Sequence, residues 1–192
     1  MNETIKLGIV LLLVTAIAGG VLAFSNSITA PIIAEQEKAG SFGAFAEVFT
    51  DADDFVAIDE AKLAEIMAEN TFVTEVYEAK IAEETIGYAF KTKSGGYGGD
   101  IITVSGFSVD GTIVGIRVIE NSETPGLGTK VVDDPSYRDS YVGKSTSNNL
   151  VLVSSPAADN EVQLLSGATI SSEGVLYGVN GAREAFVNFL SN

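Results

Sequence analysis

The sequence contains neither histidine nor cysteine, and these two absences exclude most of the chemistry that a chain of 192 residues could carry. Without cysteine there are no disulfides, no iron–sulfur ligands and no catalytic thiols. Without histidine there is no imidazole metal site and no Ser-His-Asp triad. A calcium site built from carboxylates stays possible, but no acidic loop has the spacing of an EF-hand, and we expect no metal site. We also expect no complete active site and no catalytic residues in this chain. Any redox chemistry would have to be carried by an organic cofactor.

Basic residues are also scarce. The chain has 11 lysines and arginines against 26 aspartates and glutamates, which gives a formal net charge of −15. A chain this acidic, with no basic stripe, is unsuited to binding the phosphate backbone of a nucleic acid. We therefore expect no nucleic-acid partner.

Charged residues are missing altogether from residues 7–34. Residues 7–24 (LGIVLLLVTAIAGGVLAF) are almost entirely apolar. A helix of this length, rising about 1.5 Å per residue, crosses the roughly 30 Å hydrocarbon layer of a bilayer. The alternative is a cleaved signal peptide, but the apolar region of such peptides normally runs about 7–15 residues. The sequence therefore favours a retained transmembrane anchor, with membrane lipid as a partner.

The charges near the N-terminus predict the orientation of this anchor. Lys6 and the terminal amine favour a cytoplasmic N-terminus, which would place the acidic remainder outside the cytoplasm. We predict a cytoplasmic stub and transmembrane helix at 1–27, a connector at 28–40 that is broken at Pro31, and an extracytoplasmic domain at 41–192.

The remainder of the chain mixes helical and strand patterns, which predicts an α+β domain. Apolar side chains at helical spacing predict helices over residues 39–49 and 60–69. Runs typical of strands follow, and Asp110-Gly111 between two of them is a strong hairpin signal. These runs are residues 71–77, 86–90, 101–104 and 113–119. We expect an antiparallel β-sheet flanked by helices.

A glycine-rich segment, residues 94–100 (SGGYGGD), separates two of the strand runs. It lacks the Gly-Lys-Ser/Thr ending of a phosphate loop, and no helical pattern follows it. We interpret it as a turn, in which Tyr97 is the side chain that could border a ligand.

Residues 166–169 (SGAT) precede a C-terminal apolar stripe of helical period. Ser171 or Ser172 is predicted to cap the N-terminus of this helix. Thr169 would then carry its hydroxyl just ahead of a helix end that attracts anions. Taken alone, these four residues are compatible with a simple loop of small residues, with an anion site, or with a covalent attachment at Thr169.

A second motif, residues 123–128 (ETPGLG), directly follows the last predicted strand. Pro125 and the two glycines make a rigid turn that holds one apolar side chain, Leu127, between them. Together, ETPGLG and SGAT resemble the FMN-binding domain of the RnfG/NqrC family, the flavoprotein subunits of the Rnf and sodium-pumping quinone reductase complexes. The resemblance covers roughly residues 87–186, and the single N-terminal anchor agrees with it.

The resemblance implies a covalent cofactor. In the family, a separate flavin transferase attaches FMN by a phosphodiester to the last threonine of SGAT, which is Thr169 here. ETPGLG would line the flavin, with Leu127 against the ring. Lys130 would be either a cation that favours reduced flavin or a solvated lysine. The expected cofactor-binding residues are Ser166, Gly167, Ala168, Thr169, Ser171, Glu123, Thr124, Leu127, Gly128 and Lys130.

Two positions depart from the family pattern. Asn121-Ser122 stands where a histidine often precedes the Glu-Thr pair, and Gln163 stands where an aspartate is common three residues before the SGAT serine. If the transferase reads that carboxylate, attachment at Thr169 would be slower.

Within the family, RnfG is the better match because the soluble part contains no long insertion. The resemblance then implies a single-pass electron carrier in a bacterial or archaeal cell membrane, with its FMN domain on the outer face. Its partners would be the other membrane and soluble subunits of a complex that couples ferredoxin:NAD⁺ electron transfer to Na⁺ or H⁺ translocation.

Three alternatives remain. They are the NqrC component of the Na⁺-translocating NADH:quinone reductase, a membrane-tethered non-redox ligand-binding or structural domain, and a hydrolase. The hydrolase would have to use Ser166 or Ser171 without the usual histidine base.

Overall fold

The computed structural model describes residues 3–191, and the chain divides into two compact units, Met1–Gly40 and Ser41–Asn192. Helix α1, Glu3–Val48, begins in the first unit and ends in the second. Its segment Glu3–Pro31 has a mean hydropathy of 2.6 and buries none of its apolar side chains. Within the described part of the chain, α1 is the one helix that is long and apolar enough to cross a membrane.

The helix break predicted at Pro31 is wrong. Helix α1 continues through Pro31 and through the expected connector, and the helix predicted over residues 39–49 is the last part of α1. Proline costs one backbone hydrogen bond, but membrane-spanning helices tolerate it. The residues that follow, 34–39 (AEQEKA), are mostly strong helix formers.

The second unit is built on a five-stranded antiparallel sheet in the order β1-β2-β3-β4-β5. The strands are β1 Asp54–Ala57, β2 Val73–Ile81, β3 Glu84–Gly95, β4 Asp100–Ser108 and β5 Ile113–Glu120. Gly111, with a φ of +82°, turns the chain from β4 into β5, as its hairpin signal predicts. The predicted antiparallel sheet is confirmed, and residues 96–99 form the tight turn between β3 and β4.

Two longer helices accompany the sheet. Helix α2, Glu60–Glu69, begins after Asp59, whose carboxylate accepts the Ala61 amide at 2.9 Å. The C-terminal helix, α5, covers Thr169–Phe189. The sequence patterns did not indicate the shorter elements between β5 and α5, which are α3 Lys130–Asp133, α4 Pro135–Asp139, and the parallel pair β6 Val151–Val153 and β7 Glu161–Gln163.

The sheet separates two apolar layers because successive side chains of a strand point to opposite faces. On one face, Phe90 and Phe107 pack under α5, and the ring of Phe107 stacks on that of Phe186 at 5.5 Å. On the other face, Ala89 and Val104 pack against the end of α1 and the residue that follows it. This arrangement holds α5 against the sheet and presents its N-terminus to the loops beyond β3 and β5.

Candidate functional site

Three segments that are distant in sequence meet at the N-terminus of α5 and line a cavity of about 430 Å³ that is open to solvent. They are the turn between β3 and β4, the ETPGLG loop and the SGAT segment. A volume of this size is typical of small-molecule sites. The lining residues are Tyr97, Glu123, Thr124, Leu127, Gly128, Gly167, Ala168, Thr169, Ile170 and Ser171.

The cavity combines exposed apolar side chains with a few polar groups. Tyr97, Leu127 and Ile170 are 71%, 50% and 49% exposed, although each is a large apolar or aromatic residue. Tyr97 therefore borders the cavity, as its place in the glycine-rich turn allowed. Ile170 was not singled out from the sequence, and its position directly after SGAT was the available signal.

Helix α5 begins at Thr169, so the predicted capping role of Ser171 or Ser172 is wrong. Ala168 occupies the N-cap position and makes no side-chain capping bond. The hydroxyl of Ser172 donates instead to the Ala168 carbonyl at 2.9 Å, and the hydroxyl of Ser171 donates to the carboxylate of Glu123. Both hydroxyls therefore bond to groups other than the first amides of the helix.

The uncapped start of α5 leaves backbone donors at the cavity. Among the described residues, no hydrogen-bond acceptor meets the amides of Thr169, Ile170 and Ser171. The first amides of any helix lack intrahelical partners, and with the helix dipole they attract anions. Thr169 is itself exposed, so its hydroxyl is accessible at this electropositive end.

The ETPGLG loop is held by its own backbone. The carbonyl of Thr124 accepts the amides of Leu127 at 3.1 Å and of Thr129 at 3.3 Å. Gly126 takes a φ of +73°, which an L side chain rarely adopts, and this conformation closes the turn. Leu127 is thereby held outward at the edge of the cavity.

Glu123 lies beneath this loop and is only 6% exposed. Its Oε1 accepts the amide of Gly98 at 2.9 Å, and its Oε2 accepts the Ser171 hydroxyl. Its own amide donates to Asn121 Oδ1 at 3.1 Å. The side chain of Asn121, at the position where the family often has histidine, thus restrains the backbone at the first residue of ETPGLG.

A second cavity, of about 570 Å³, adjoins the first at Gly167 and Thr169. Lys130, the first residue of α3, lines this second cavity and not the first, and its Nζ donates to the Ser166 carbonyl at 3.4 Å. The remaining lining is largely polar and consists of Asp134, Ser136, Ser154, Gln163, Leu164, Leu165 and Ser166.

Gln163 is engaged with the backbone at the edge of the second cavity. Its Nε2 donates to the carbonyls of Ser154 at 3.2 Å and Leu164 at 2.8 Å.

The ten predicted site residues lie close together in the structure. Eight line the first cavity, and the other two, Lys130 and Ser166, line the second.

Residues 96–184, which contain both motifs, match the FMN-binding domain family. Over 191 residues the chain is 36% identical to RnfG of the Na⁺-translocating ferredoxin:NAD⁺ oxidoreductase complex of Acetobacterium woodii, covering 95% of this chain and 91% of that relative. The chain belongs to the RnfG family. Another RnfG relative, from the proton-translocating ferredoxin:NAD⁺ oxidoreductase complex of Clostridium ljungdahlii, is 28% identical over 90% of this chain and 86% of its own.

Solved structures confirm the fold expected of an RnfG chain. NqrC of the Na⁺-translocating NADH-quinone reductase of Parabacteroides distasonis superposes with a TM-score of 0.57 at 20% identity, over 73% of this chain and 79% of that one. NqrC of Shewanella oneidensis gives 0.51 at 24% identity, over 60% and 58%. The resemblance to the RnfG/NqrC family is confirmed by the family match over residues 96–184 and by the RnfG relatives.

Proposed function

We propose that this RnfG-family chain is a membrane-anchored flavoprotein electron carrier whose FMN is joined by a phosphodiester to Thr169. It would serve within a multi-subunit complex that couples electron transfer between ferredoxin and NAD⁺ to Na⁺ or H⁺ translocation. The observation that carries the proposal is the exposed Thr169 hydroxyl, which lies at the start of α5 between two adjoining cavities. It is beside amides that have no acceptor in the part of the chain that the structure describes.

The residues present fit FMN, which when bound supplies one- and two-electron transfer. The first cavity offers Tyr97, Leu127 and Ile170 to an aromatic ring. The amides at the start of α5 offer hydrogen bonds to phosphate oxygens. A covalent link suits a carrier outside the cytoplasm, because a dissociated cofactor would be lost there.

The position of Lys130 supports a role toward the phosphate. It lines the second cavity and not the first, and its Nζ is 3.4 Å from the Ser166 carbonyl oxygen. We therefore assign Lys130 to the phosphate side of Thr169, where a cation offsets the charge of a phosphodiester.

The apolar segment Glu3–Pro31 of α1 supports the anchor. We propose that the N-terminus is cytoplasmic, that the FMN-binding domain lies on the outer face, and that the partners are other subunits of the complex and a flavin transferase. A C-terminal reporter enzyme that is active only in the cytoplasm would be silent with this topology, and an active reporter would contradict it.

The covalent bond is tested by co-expressing the chain with a flavin transferase and measuring its intact mass. The expected increase is the mass of FMN less one water, together with flavin fluorescence that survives denaturing electrophoresis. Thr169→Val should abolish both signals, whereas Thr124→Val, which removes another exposed hydroxyl of the same cavity, should retain them. Retained fluorescence in Thr169→Val would show that the flavin is attached to another residue. The absence of flavin from every variant and from the parent chain would favour a non-redox domain.

A further inference from the structure

We infer that Glu123 is a positioning residue, whose buried carboxylate fastens the β3–β4 turn and the first turn of α5 to the ETPGLG loop. It thereby keeps the three walls of the first cavity at fixed spacing and is not itself a ligand of the flavin. The identity of the cofactor in this inference rests on the proposed function, but the fastening can be tested on the chain without flavin.

The hydrogen bonds of the Glu123 carboxylate indicate that it does not bind the cofactor directly. Oε1 accepts the amide of Gly98 at 2.9 Å, and Oε2 accepts the hydroxyl of Ser171. In the part of the chain that the structure describes, no lysine or arginine forms an ion pair with Glu123. A buried carboxylate without a cation depends on its hydrogen bonds, so Gly98 and Ser171 are the groups that make its burial tolerable.

The space around the carboxylate explains glycines in two different motifs. A Cβ on Gly128 of ETPGLG would lie 2.5 Å from Glu123 Oε2 and 2.7 Å from Ser171 Oγ. A Cβ on Gly96 of the β3–β4 turn would collide with Glu123 Oε1. A side chain at either position would therefore displace the Glu123 carboxylate from its hydrogen bonds.

The two hydrogen bonds also reach the residues proposed to meet the cofactor. Gly98 follows Tyr97 directly, so the bond to Gly98 restrains the ring that borders the cavity. Ser171 belongs to the same helical turn as Thr169, so the bond to Ser171 restrains the turn that presents the Thr169 hydroxyl. Loss of the carboxylate would release both walls at once.

The test uses full-length chain in detergent, produced with and without a co-expressed flavin transferase. The variants are Glu123→Ala, Ser171→Ala, the double variant and Glu123→Gln, with Glu120→Ala as a control that removes an exposed carboxylate at the end of β5. The two readouts are the melting temperature of the flavin-free chain and the visible circular dichroism of the flavin in the loaded chain.

Glu123→Ala should lower the melting temperature of the flavin-free chain by about 3–8 °C, because the Gly98 amide and Ser171 hydroxyl lose a charged acceptor. Ser171→Ala should also lower it, and the double variant should melt no lower than Glu123→Ala, because the two side chains share one contact. Glu123→Gln should recover most of the loss, since its amide oxygen can accept from Gly98 while its NH₂ donates to Ser171 Oγ. Glu120→Ala should have the same melting temperature as the parent chain.

In the loaded chain, Glu123→Ala and Ser171→Ala should each reduce the flavin circular dichroism, and Glu123→Gln should restore it. If Glu123 were a flavin ligand, both Glu123 variants would alter the flavin signal while Ser171→Ala left it unchanged, and that result would overturn the inference. Additive melting-temperature losses would overturn it as well. A parent chain without flavin would count against the proposed function alone, because the melting experiment tests the fastening by itself.

Discussion

The side chain of Leu127 lies over Gly167, so that a Cβ on Gly167 would be 3.7 Å from Leu127 Cδ2. These residues are the apolar centre of ETPGLG and the glycine of SGAT, and their contact joins the two motifs at the edge of the first cavity. Gly167 has a φ of +79°, a conformation that favours glycine. The two motifs therefore form one wall.

Leu127→Ala tests whether this wall shields a flavin ring. Because Leu127 is half exposed, the truncation should change the free energy of unfolding by no more than about 0.5 kcal/mol. It should nevertheless make the flavin fluorescence easier to quench with iodide. Val109→Ala is the matched control, since it truncates a 58% exposed side chain next to the β4–β5 hairpin. Equal quenching in the two variants would place the ring away from Leu127.

Gly174 brings α5 into contact with the backbone of the sheet. A Cβ at this position would lie 2.7 Å from the Gly95 carbonyl oxygen, so Gly174→Ala must push the helix from β3. We expect a loss of roughly 1–3 kcal/mol in the free energy of unfolding, as for other overpacked sites. Among the described residues, no atom lies within 4 Å of a Cβ on Gly43 in α1, so Gly43→Ala should be neutral or stabilising by up to about 1 kcal/mol. Chemical denaturation of both variants measures the difference, and equal effects would contradict the close approach.

Lys130→Gln tests the assignment of this cation to the phosphate. A charge-assisted hydrogen bond is worth about 1.5–3 kcal/mol, so attachment of flavin to Thr169 should slow about tenfold or more. The midpoint potential of flavin that does become attached should stay at its parental value. Lys144→Gln, which removes a lysine bonded to the Ala158 carbonyl, should leave both quantities unchanged. Time-resolved in-gel fluorescence and redox titration give the two readouts, and a shifted potential in Lys130→Gln would place the lysine beside the ring.

The buried pair Tyr137 and Tyr141 predicts a loss of stability at alkaline pH. Their hydroxyls lie 3.0 Å apart, and burial raises the pKa of each phenol above the ordinary value near 10. Because the folded-state pKa is raised, stability is complete below about pH 10 and falls as the pH rises further and only the unfolded chain ionises.

Tyr137→Phe should reduce the slope of that fall by about 1.4 kcal/mol per pH unit, because one group no longer titrates. It should also cost about 1 kcal/mol at neutral pH through the lost hydrogen bonds to Tyr141 and the Ser172 carbonyl. Val109→Ala, which removes no titratable group, should retain the parental slope. Denaturation between pH 8 and 11.5 measures the slopes, and an unchanged slope in Tyr137→Phe would contradict the burial argument.

Elements with a clear apolar period were predictable and those without one were not. Helix α2 lies at Glu60–Glu69, where its apolar face and the preceding Asp59 place it. Strand β3 extends beyond its predicted run to Gly95 and β4 beyond its own to Ser108, because polar residues and glycines such as Lys93, Ser105 and Gly106 continue the ladder. Helices α3 and α4 have four and five residues, too few to show a period.

The sequence by itself determined the chemistry that is open to this protein. The lack of histidine and cysteine, the apolar segment near the N-terminus, and the two motifs in order were sufficient to indicate the family and to propose Thr169 as the attachment residue. These properties depend only on residue types and their order along the chain, and not on contacts between segments that are distant in sequence.

Only the tertiary structure decided which residues the motif side chains contact and where they lie relative to the two cavities. It buried Glu123 between Gly98 and Ser171, placed Lys130 in the lining of the second cavity and not of the first, and started α5 at Thr169 instead of at a serine cap. Each outcome depends on the packing of α5 against the sheet, which sets the distance between segments dozens of residues apart. Local sequence patterns do not predict that distance, so the hydrogen-bond partner of a buried carboxylate or of a serine hydroxyl becomes evident only in the folded chain.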